Sequence, residues 1–478
     1  MVFSSAVFLF AFLPIVFLLH TVIRNTTARN VLLIVASLLF YAWGEPVYVL
    51  LLLASILVNF VLGRFVWGRK PVLVAAVVIN LTFLIVFKYA GFIVDTINAL
   101  PFVNLSAPAV SMPIGISFYT FQAMSYVIDT YRDEKKRPGS FLDVMLYVCL
   151  FPQLVAGPIV KYNSVREQLR HREVTAQGIS AGIQRFIVGL SKKMLIANVM
   201  AVAVDKMFAL EAAQLDMASA WVGAVCYMLQ IYFDFSGYSD MAVGMGKMFG
   251  FTFPENFDYP YTACSIRQFW KKWHISLTSW FREYLYFPLG GNKKGRGRTL
   301  FNRFFVFLCT GIWHGANWTF VVWGVYHGLL TMLETVLVKD KKAAGISVKG
   351  KNDNSMTAGG VSKNKALNVL GHIYTLLAVM IGFVIFRADS MGQAWRFIVS
   401  MFSFGATAAG TMTAASVMSP LFIITTIVAM VACTPVIKGL PDNRVTQLAG
   451  KAATVILYLL CIMEIAAGSY NPFIYFRF

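Results

Sequence analysis

The sequence predicts an all-α, polytopic membrane protein. Of its 478 residues, 58% are apolar and 13% are charged, and the mean hydropathy of +0.67 is that of a chain embedded in lipid. A helix needs about 20 apolar residues to cross roughly 30 Å of hydrocarbon. Apolar runs near that length recur at residues 7–23, 31–43, 47–66, 72–87, 221–233, 319–336, 367–386, 417–436 and 452–467. Several runs are short, so the number of spans stays open.

We expect one integral membrane domain over residues 1–478. Its parts are N-terminal helices in residues 1–111, a core in residues 112–336, a loop in residues 337–366 and C-terminal helices in residues 367–478. The loop is rich in Lys, Gly, Ser and Asn, a composition typical of a mobile segment, and its basic charge predicts a cytoplasmic location.

The positive charge of the chain indicates a membrane surface rather than a nucleic-acid partner. The formal net charge is +19, but the basic residues cluster in short loops beside apolar runs, where cytoplasmic retention and anionic lipid headgroups explain them. We therefore expect membrane lipid and no nucleic acid among the partners. The six cysteines lie far apart without a C-x-x-C pair, so we expect no metal site and no disulfide framework.

The basic loops also predict the topology. Basic clusters at residues 24–29, 64–70 and 132–137 alternate with charge-poor turns. Because cytoplasmic loops carry the excess of Lys and Arg, the N-terminus should face outside. The first charged residue, Arg24, follows the first apolar run, and no small-residue cleavage site accompanies that run, so we expect an uncleaved first span.

Residues 141–160 should be re-entrant or interfacial. Basic residues flank this segment on both sides, whereas a full crossing would put the two flanks on opposite faces. Within it, "FPQLVAGP" at residues 151–158 carries two prolines and a glycine, a composition that predicts a break in the helix. Such a break is tolerated only where protein or a water-filled cavity surrounds it. A single kinked helix is the alternative.

Two further segments combine charge with apolar residues. Residues 179–208 predict a helix that lies partly along the interface, with Lys192 and Lys193 snorkelling to the headgroups. Residues 246–298 are aromatic and basic together, as amphipathic helices at a cytoplasmic surface would be.

The stretch "GIWHGANW", residues 311–318, places a histidine between two tryptophans and two glycines. Basic segments on both sides predict that the chain enters the membrane and returns, with its turn at residues 311–317. The entering arm, residues 304–310, is too short to cross, so His314 is expected at mid-membrane depth. A neutral imidazole there suits a general base. A histidine that only hydrogen-bonds across helices is the alternative.

A second histidine lies in "KKWHISLTSWFREY". Lysines and arginines surround His274 within about three helical turns, which predicts a position near the cytoplasmic interface. Alone, it reads as an interface histidine. In "YFDFSGYSD", Asp234 and Asp240 could orient a histidine or hold a substrate hydroxyl, although a helix-ending polar cluster is the simpler interpretation.

Long, irregular motifs carry a resemblance to a known family. They are "LLFYAWGEP" at 38–46, "MPIGISFYTFQAMSYVIDTYR" at 112–132, "FPQLVAGPIVKY" at 151–162, "IYFDFSGYSDMAVGMGKMFGF" at 231–251, "PENFDYPY" at 254–261, "RQFWKKWHISLTSWFREYLYFPLGGN" at 267–292, and "GIWHGANW". In these motifs the sequence resembles the membrane-bound O-acyltransferases, and among them the bacterial branch typified by the membrane subunit of alginate O-acetyltransferase. The likeness covers most of the chain and is weakest in residues 72–111, in 339–365 and after 387.

The resemblance implies both the architecture and the site residues. It implies a ring of tilted helices enclosing a tunnel whose two openings meet at His314, the family's catalytic histidine, and it makes residues 112–336 the catalytic core. His274 matches a second motif position, occupied by histidine or asparagine in the family. The further candidates, for substrate binding, are Asp234, Tyr238, Trp273, Trp313 and Asn317. The backbone N–H groups around Gly315 or the Asn317 amide could stabilise an oxyanion.

The expected activity is O-acetyl transfer at the bacterial inner membrane. The acyl donor would be cytoplasmic acetyl-CoA or another thioester, with no bound cofactor, and the acceptor an exported or cell-surface polysaccharide reached through an extracytoplasmic acetyltransferase partner. His314 would accept the proton of the attacking hydroxyl. A transporter or lipid scramblase, or a scaffold that anchors an extracellular acetyltransferase, are the alternatives from other functional classes.

Overall fold

The fold is built from helices joined by turns and loops. The computed structural model describes residues 1–106, 110–133, 138–337, 365–468 and 470–472, and every regular element in these ranges is a helix. Most of the predicted loop at 337–366 lies outside the described residues, and so does the end of the basic cluster at 132–137. The predicted all-α, polytopic membrane fold is confirmed, and the ring around a tunnel stays a prediction.

The backbone falls into two compact units. The first unit comprises residues 1–198, 232–255 and 442–478, and the second comprises residues 199–231 and 256–441. The helices of the first half of the chain are α1 Leu13–Val22, α2 Thr26–Ala42, α3 Tyr48–Phe65, α4 Lys70–Leu84, α5 Ala90–Asn98, α6 Ile116–Arg132, α7 Phe141–Cys149, α8 Phe151–Leu154, α9 Tyr162–Arg170, α10 Ala176–Ser191, α11 Asn198–Phe208 and α12 Met217–Met248. Those of the second half are α13 Ile266–Lys272, α14 Ile275–Phe281, α15 Gly295–His314, α16 Trp318–Leu337, α17 Lys365–Arg387, α18 Met391–Phe402, α19 Ala408–Ser416, α20 Pro420–Ala432 and α21 Arg444–Ala466.

Six continuous helices among the described residues are long and apolar enough to cross a membrane. They are Tyr48–Phe65, Lys70–Asn98, Ala176–Phe208, Trp318–Leu337, Lys365–Arg387 and Arg444–Ala466. The apolar run at 417–436 instead lies mostly in α20, which forms a bent pair with α19 at an angle of 77°, and this pair would be a seventh span if it crosses as one. The runs near the N-terminus form shorter apolar helices, Phe8–Val22 and Thr26–Ala42.

The break predicted at residues 151–158 is confirmed, and a single kinked helix does not form. α7 ends at Cys149, Leu150 has an extended ψ of 112°, and α8 is only 4 residues long. Side chains meet the polar groups that the break exposes: Ser37 Oγ accepts from Phe151 N–H at 3.0 Å and Tyr147 Oη donates to Val160 O at 2.8 Å. Because these groups are buried, their pairing avoids the cost of orphaned backbone polarity.

The prediction that two lysines snorkel from an interfacial helix is wrong. Residues 176–208 form one continuous helix with a π-helical stretch at Lys192–Ala197. Lys192 Nζ lies 2.7 Å from Asp240 Oδ2, and Lys193 Nζ lies 3.0 Å from Asp234 Oδ1. Both aspartates are in the interior of α12 rather than at a helix end, so the helix-ending cluster is also wrong. The Lys193–Asp234 pair is buried, whereas the Lys192 side chain is 26% exposed beside Asp240.

The arm that leads to "GIWHGANW" is longer than residues 304–310. α15 begins at Gly295 and contains 20 residues, about 30 Å of helix. Arg303 lies inside this helix, and its guanidinium hydrogen-bonds the hydroxyl of Thr335 on α16. The two helices pack closely where glycines face each other: a Cβ on Gly311 would lie 2.4 Å from Phe320 O, and one on Gly324 would lie 2.7 Å from Phe307 O. The expected re-entrant arm is thus one half of a long helical hairpin.

Candidate active site

A backbone turn between α13 and α14 carries His274. The residue has φ 45° and ψ 53°, which is left-handed, and it is the N-cap residue of α14. The segment before α13 runs alongside this turn: Asp258 N–H donates to Lys272 O at 3.0 Å, and Ile275 N–H donates to Asn256 O at 3.0 Å. The turn is therefore held from both sides by main-chain hydrogen bonds.

The Asn256 side chain fixes the tautomer of His274. Its Oδ1 accepts from Ser276 N–H at 3.2 Å and from Ser276 Oγ at 2.9 Å. Since a backbone N–H can only donate, this atom must be the amide oxygen, and His274 Nδ1, 3.1 Å away, must be the donor. The proton therefore lies on Nδ1, and Nε2 is the nitrogen that carries the lone pair.

Burial keeps His274 neutral. Its side chain is 1% exposed, and this burial, together with the positive charge that His314 can carry, lowers the pKa of His274 well below the ordinary histidine range. At neutral pH the ring is an uncharged imidazole with a defined acceptor nitrogen.

His314 is the last residue of α15, in an aromatic surrounding. Its ring makes edge contacts with Trp313 at 5.0 Å, Trp323 at 5.2 Å and Phe386 at 5.1 Å between ring centroids. The next residue is a glycine for a steric reason, because a Cβ on Gly315 would lie 2.2 Å from the Phe320 ring. Aromatic walls from α16 and α17 thus set the orientation of the His314 imidazole.

Both histidines line one cavity of the second unit. The cavity has a volume of about 360 Å³, and its walls come from α13, α14, α15 and the π-helical turn after α14, with Thr331 of α16. Four cationic side chains line it: Arg267, Lys271, Arg282 and Arg303. Hydroxyl side chains also line it: Thr278, Ser279, Thr310 and Thr331. The cavity combines two imidazoles with a strongly positive wall.

Three of the predicted substrate-binding residues are within three positions of His274 or His314 in the sequence and do not line the cavity. Trp313 is buried, with its ring centroid 6.2 Å from that of His274. Trp273 is buried against Phe269 and Phe383. Asn317 caps α16, where its Oδ1 accepts from Thr319 N–H at 3.0 Å and its Nδ2 donates to Asp389 O at 3.1 Å.

The other two predicted residues belong to the first unit. Asp234 pairs with Lys193, and both side chains are buried. Tyr238 is buried and stacks on Phe3 with a centroid distance of 4.4 Å. Both residues lie in the middle of α12, and their side chains are buried.

The sequence interpretation missed Trp270, which lies one helical turn before His274 and lines the cavity. It is 8% exposed, and its indole Nε1–H has no hydrogen-bond partner among the described residues. An unpaired buried donor in a cavity wall can donate to a ligand oxygen. The motif "FWKKWH" contains both Trp270 and Trp273, but the sequence alone does not show which of the two lines the cavity.

Two supporting residues were also missed. Asn256 orients His274 from 18 positions away, and Glu334 of α16 accepts from Ile266 N–H at 2.7 Å and Arg267 N–H at 3.0 Å, which satisfies the N-terminus of α13. The asparagine in "PENFDYPY" was visible in sequence, whereas the Glu334 contact spans 68 residues and has no local signal. In the described ranges, no group of three or more His, Cys, Asp and Glu side chains is placed to hold a metal ion.

Comparison with known proteins gives the family. The model of the membrane-bound O-acyltransferase family, MBOAT, matches residues 116–340. The chain is 37% identical over 513 aligned positions to the probable alginate O-acetylase AlgI of Pseudomonas putida, covering all of both chains. It is 41% identical to the AlgI of Pseudomonas aeruginosa over 85% of this chain and 75% of the relative. A peptidoglycan O-acetyltransferase of Helicobacter pylori is 35% identical over 69% of each chain.

The matched region contains both histidines and every residue named above that lines the cavity. High identity over the full length of an AlgI relative extends the match to the remaining helices. The chain therefore belongs to the membrane-bound O-acyltransferase family, and it is an acyltransferase.

Proposed function

We propose that this protein transfers an acetyl group from a cytoplasmic thioester to a hydroxyl acceptor for the O-acetylation of an exported or cell-surface polysaccharide. The observation that carries the proposal is the single cavity of about 360 Å³ lined by His274, His314 and four cationic side chains. The names of the relatives, alginate O-acetylase and peptidoglycan O-acetyltransferase, support acetyl as the group and a glycan as the acceptor.

His314 is the proposed general base. Its imidazole takes the proton of the attacking hydroxyl as the hydroxyl oxygen forms a bond to the acetyl carbonyl carbon. Collapse of the tetrahedral intermediate breaks the carbon–sulfur bond, and the thiolate takes that proton back from the imidazolium. The products are an acetyl ester, a free thiol and neutral His314. A positioned base of this kind contributes about 10²–10⁴-fold, or roughly 3–5 kcal/mol of barrier.

Trp270 is the proposed donor to the developing oxyanion. Its Nε1–H is held in the cavity wall by ring contacts with Phe307, Trp323 and His327 at centroid distances of 5.3, 5.5 and 5.0 Å. A preorganised donor stabilises charge that develops in the transition state at no cost of reorientation. The Asn317 amide is already engaged at the start of α16, so the indole is the better-supported donor.

The positive wall supports a phosphorylated thioester such as acetyl-CoA as the donor. Arg267, Lys271, Arg282 and Arg303 lie around the same cavity as the histidines, and guanidinium groups bind phosphate through paired hydrogen bonds. His274 lies on this donor side in our proposal. The positive-inside pattern of the basic loops supports an N-terminus outside and a wall that faces the cytoplasm of a bacterial inner membrane. An extracytoplasmic acetyltransferase would complete transfer to the glycan.

The test is acetyl transfer by the purified full chain. Radiolabelled acetyl-CoA is supplied with alginate and peptidoglycan fragments, with and without the extracytoplasmic partner. We compare wild type with His314→Ala and His274→Ala, and with His171→Ala as a control, because His171 is exposed and does not line the cavity. Loss of label transfer in the first two variants alone supports the proposal. Equal transfer in all four proteins, or none in the wild type under any acceptor condition, contradicts it and favours a transporter or a scaffold.

A further inference from the structure

Three basic side chains of the first unit converge near the start of α2. Arg29 Nε donates to the backbone oxygens of His20 at 3.1 Å and Ile23 at 2.6 Å. Arg172, between α9 and α10, donates from Nε to Phe249 O at 3.1 Å. The rings of His20 and Phe249 are in edge contact, with centroids 5.1 Å apart. We call Arg29, Arg172 and His20 the basic triplet.

The triplet contains buried polar atoms that have no hydrogen-bond partner among the described residues. Arg172 Nη2 is buried and has no hydrogen-bond partner among the described residues. Both ring nitrogens of His20, whose side chain is 0% exposed, also lack one within those residues. Arg172 Nη1 makes only long contacts with Gln168 O at 3.3 Å and Leu169 O at 3.5 Å. Buried polar groups are nearly always paired, so a cluster of unmet ones indicates a bound ion, ligand or ordered water.

The positive charge of the triplet faces an aromatic ring rather than a carboxylate, because Arg172 Cζ lies 4.4 Å from the centroid of the Phe251 ring. In the described ranges neither Arg29 nor Arg172 forms an ion pair with a carboxylate, whereas Arg170, two positions before Arg172, pairs with Asp143 at 2.8 Å. Burial, with a smaller contribution from the charge of Arg29, lowers the pKa of Arg172 to about 10. Arg172 therefore remains charged at neutral pH, and an anion is the ligand that this environment favours.

We propose that the basic triplet binds a phosphate group, and that its natural source is an anionic phospholipid of the cytoplasmic leaflet. The Nε bonds to backbone oxygens hold both guanidinium groups in place and leave Arg172 Nη2 and the terminal N–H groups of Arg29 for phosphate oxygens, which guanidinium groups bind through charge-assisted hydrogen bonds. The triplet borders segments whose basic residues predict a cytoplasmic location, where anionic headgroups concentrate. This proposal does not depend on the acyl-transfer mechanism.

Thermal unfolding in a non-ionic detergent tests the site. Wild type is titrated with dioleoylphosphatidylglycerol and, in a separate arm, with inorganic phosphate at constant ionic strength. We expect the phospholipid to raise the Tm, and we expect Arg172→Gln to weaken its apparent affinity about tenfold or more, as the loss of a charged hydrogen bond implies. Native mass spectrometry of the same samples counts the retained lipid molecules.

Two further variants make the result interpretable. Arg24→Gln removes an exposed arginine from the loop that precedes α2, five positions before Arg29, and should leave the lipid response unchanged. His20→Phe keeps the ring contact with Phe249 and removes both nitrogens, so it should reduce the lipid response even if Arg172→Gln does not fold. A Tm rise with inorganic phosphate that Arg172→Gln abolishes supports a phosphate site but assigns it to soluble phosphate. Equal lipid responses in wild type, Arg172→Gln and His20→Phe overturn the proposal.

Discussion

Asn256 and His274 are joined by a hydrogen bond of 3.1 Å whose direction is set by a third residue. Because Ser276 N–H also donates to Asn256 Oδ1, the imidazole must donate from Nδ1 and presents Nε2 as its acceptor nitrogen. The chain thus selects one tautomer of a cavity-lining histidine by means of an amide rather than a carboxylate. A neutral amide orients the ring without favouring its protonated form.

The Asn256 contact predicts a graded response to substitution. Asn256→Leu removes the acceptor that orients the His274 ring, so acetyl transfer should fall by roughly 10–100-fold, the equivalent of about 1–3 kcal/mol. Asn256→Asp keeps an acceptor in place and should retain more activity than Asn256→Leu. Its added negative charge should also raise the pKa of His274, so the pH profile of kcat should move to higher pH. Identical kcat values and pH profiles for the two variants would contradict a role in orienting His274.

The lowered pKa of His274 predicts a pH-dependent stability. The folded protein keeps this ring neutral, whereas the unfolded chain takes up a proton near the ordinary histidine pKa of about 6.5. The stabilising contribution is therefore complete above about pH 6.5 and is lost progressively as the pH falls toward the folded-state pKa. Between about pH 7.5 and 5.5, wild type should lose about 1.4 kcal/mol more than His274→Asn. Unfolding curves of the two proteins in detergent measure the difference, and parallel losses would count against it.

The Trp270 indole predicts a selective effect on the chemical step. Trp270→Phe keeps an aromatic ring in the wall and removes the N–H, so kcat should fall about 10²–10³-fold with little change in KM, as for other oxyanion donors. Trp221→Phe is the matched control, since its Nε1–H donates to Met401 O at 2.7 Å and it does not line the cavity. Initial rates at varied acetyl-CoA concentration separate kcat from KM. A rise in KM alone would show that Trp270 only binds the donor.

The close packing of α15 on α16 predicts that a methyl group is tolerated at one glycine and not at another. Gly311→Ala would bring a Cβ to 2.4 Å from Phe320 O, a backbone atom that cannot move aside alone. We expect a loss of about 1–3 kcal/mol in stability together with reduced activity, as for overpacked cores. Gly297→Ala, in the same helix, meets nothing within 4 Å and should be neutral or stabilising. Thermal unfolding of the two variants gives the comparison.

The buried pair of Lys193 and Asp234 predicts strong coupling. Lys193→Met removes one charge of a buried ion pair and should destabilise the protein by about 3–5 kcal/mol. The double variant Lys193→Met with Asp234→Leu removes both charges, so it should recover much of that loss. A double-mutant cycle on Tm values measures the coupling. Additive effects would mean that the two charges do not stabilise each other.

The sequence predicted what depends on local composition. Apolar runs located five of the six helices that are long enough to span, the exception being Ala176–Phe208. Two prolines and a glycine located the break at residues 151–158, and the histidine motifs located His274 and His314. It could not predict pairings between distant segments. Lys192 and Lys193 look like interface lysines until Asp240 and Asp234 of α12 are placed beside them. Likewise, Glu334 gives no local sign that it satisfies the start of α13, and Arg303 looks like a membrane boundary until Thr335 is placed next to it.

The left-handed backbone at His274 restricts which residue types fit this position without strain. With φ at 45°, most side chains would strain the main chain, whereas histidine, asparagine and aspartate adopt this region more readily. In the family that this motif resembles, the position is occupied by histidine or asparagine. Conformational tolerance alone therefore narrows the choice to glycine and a few polar residues, before any demand of the reaction is considered. A swap between the two can preserve the turn while changing the chemistry that the cavity performs.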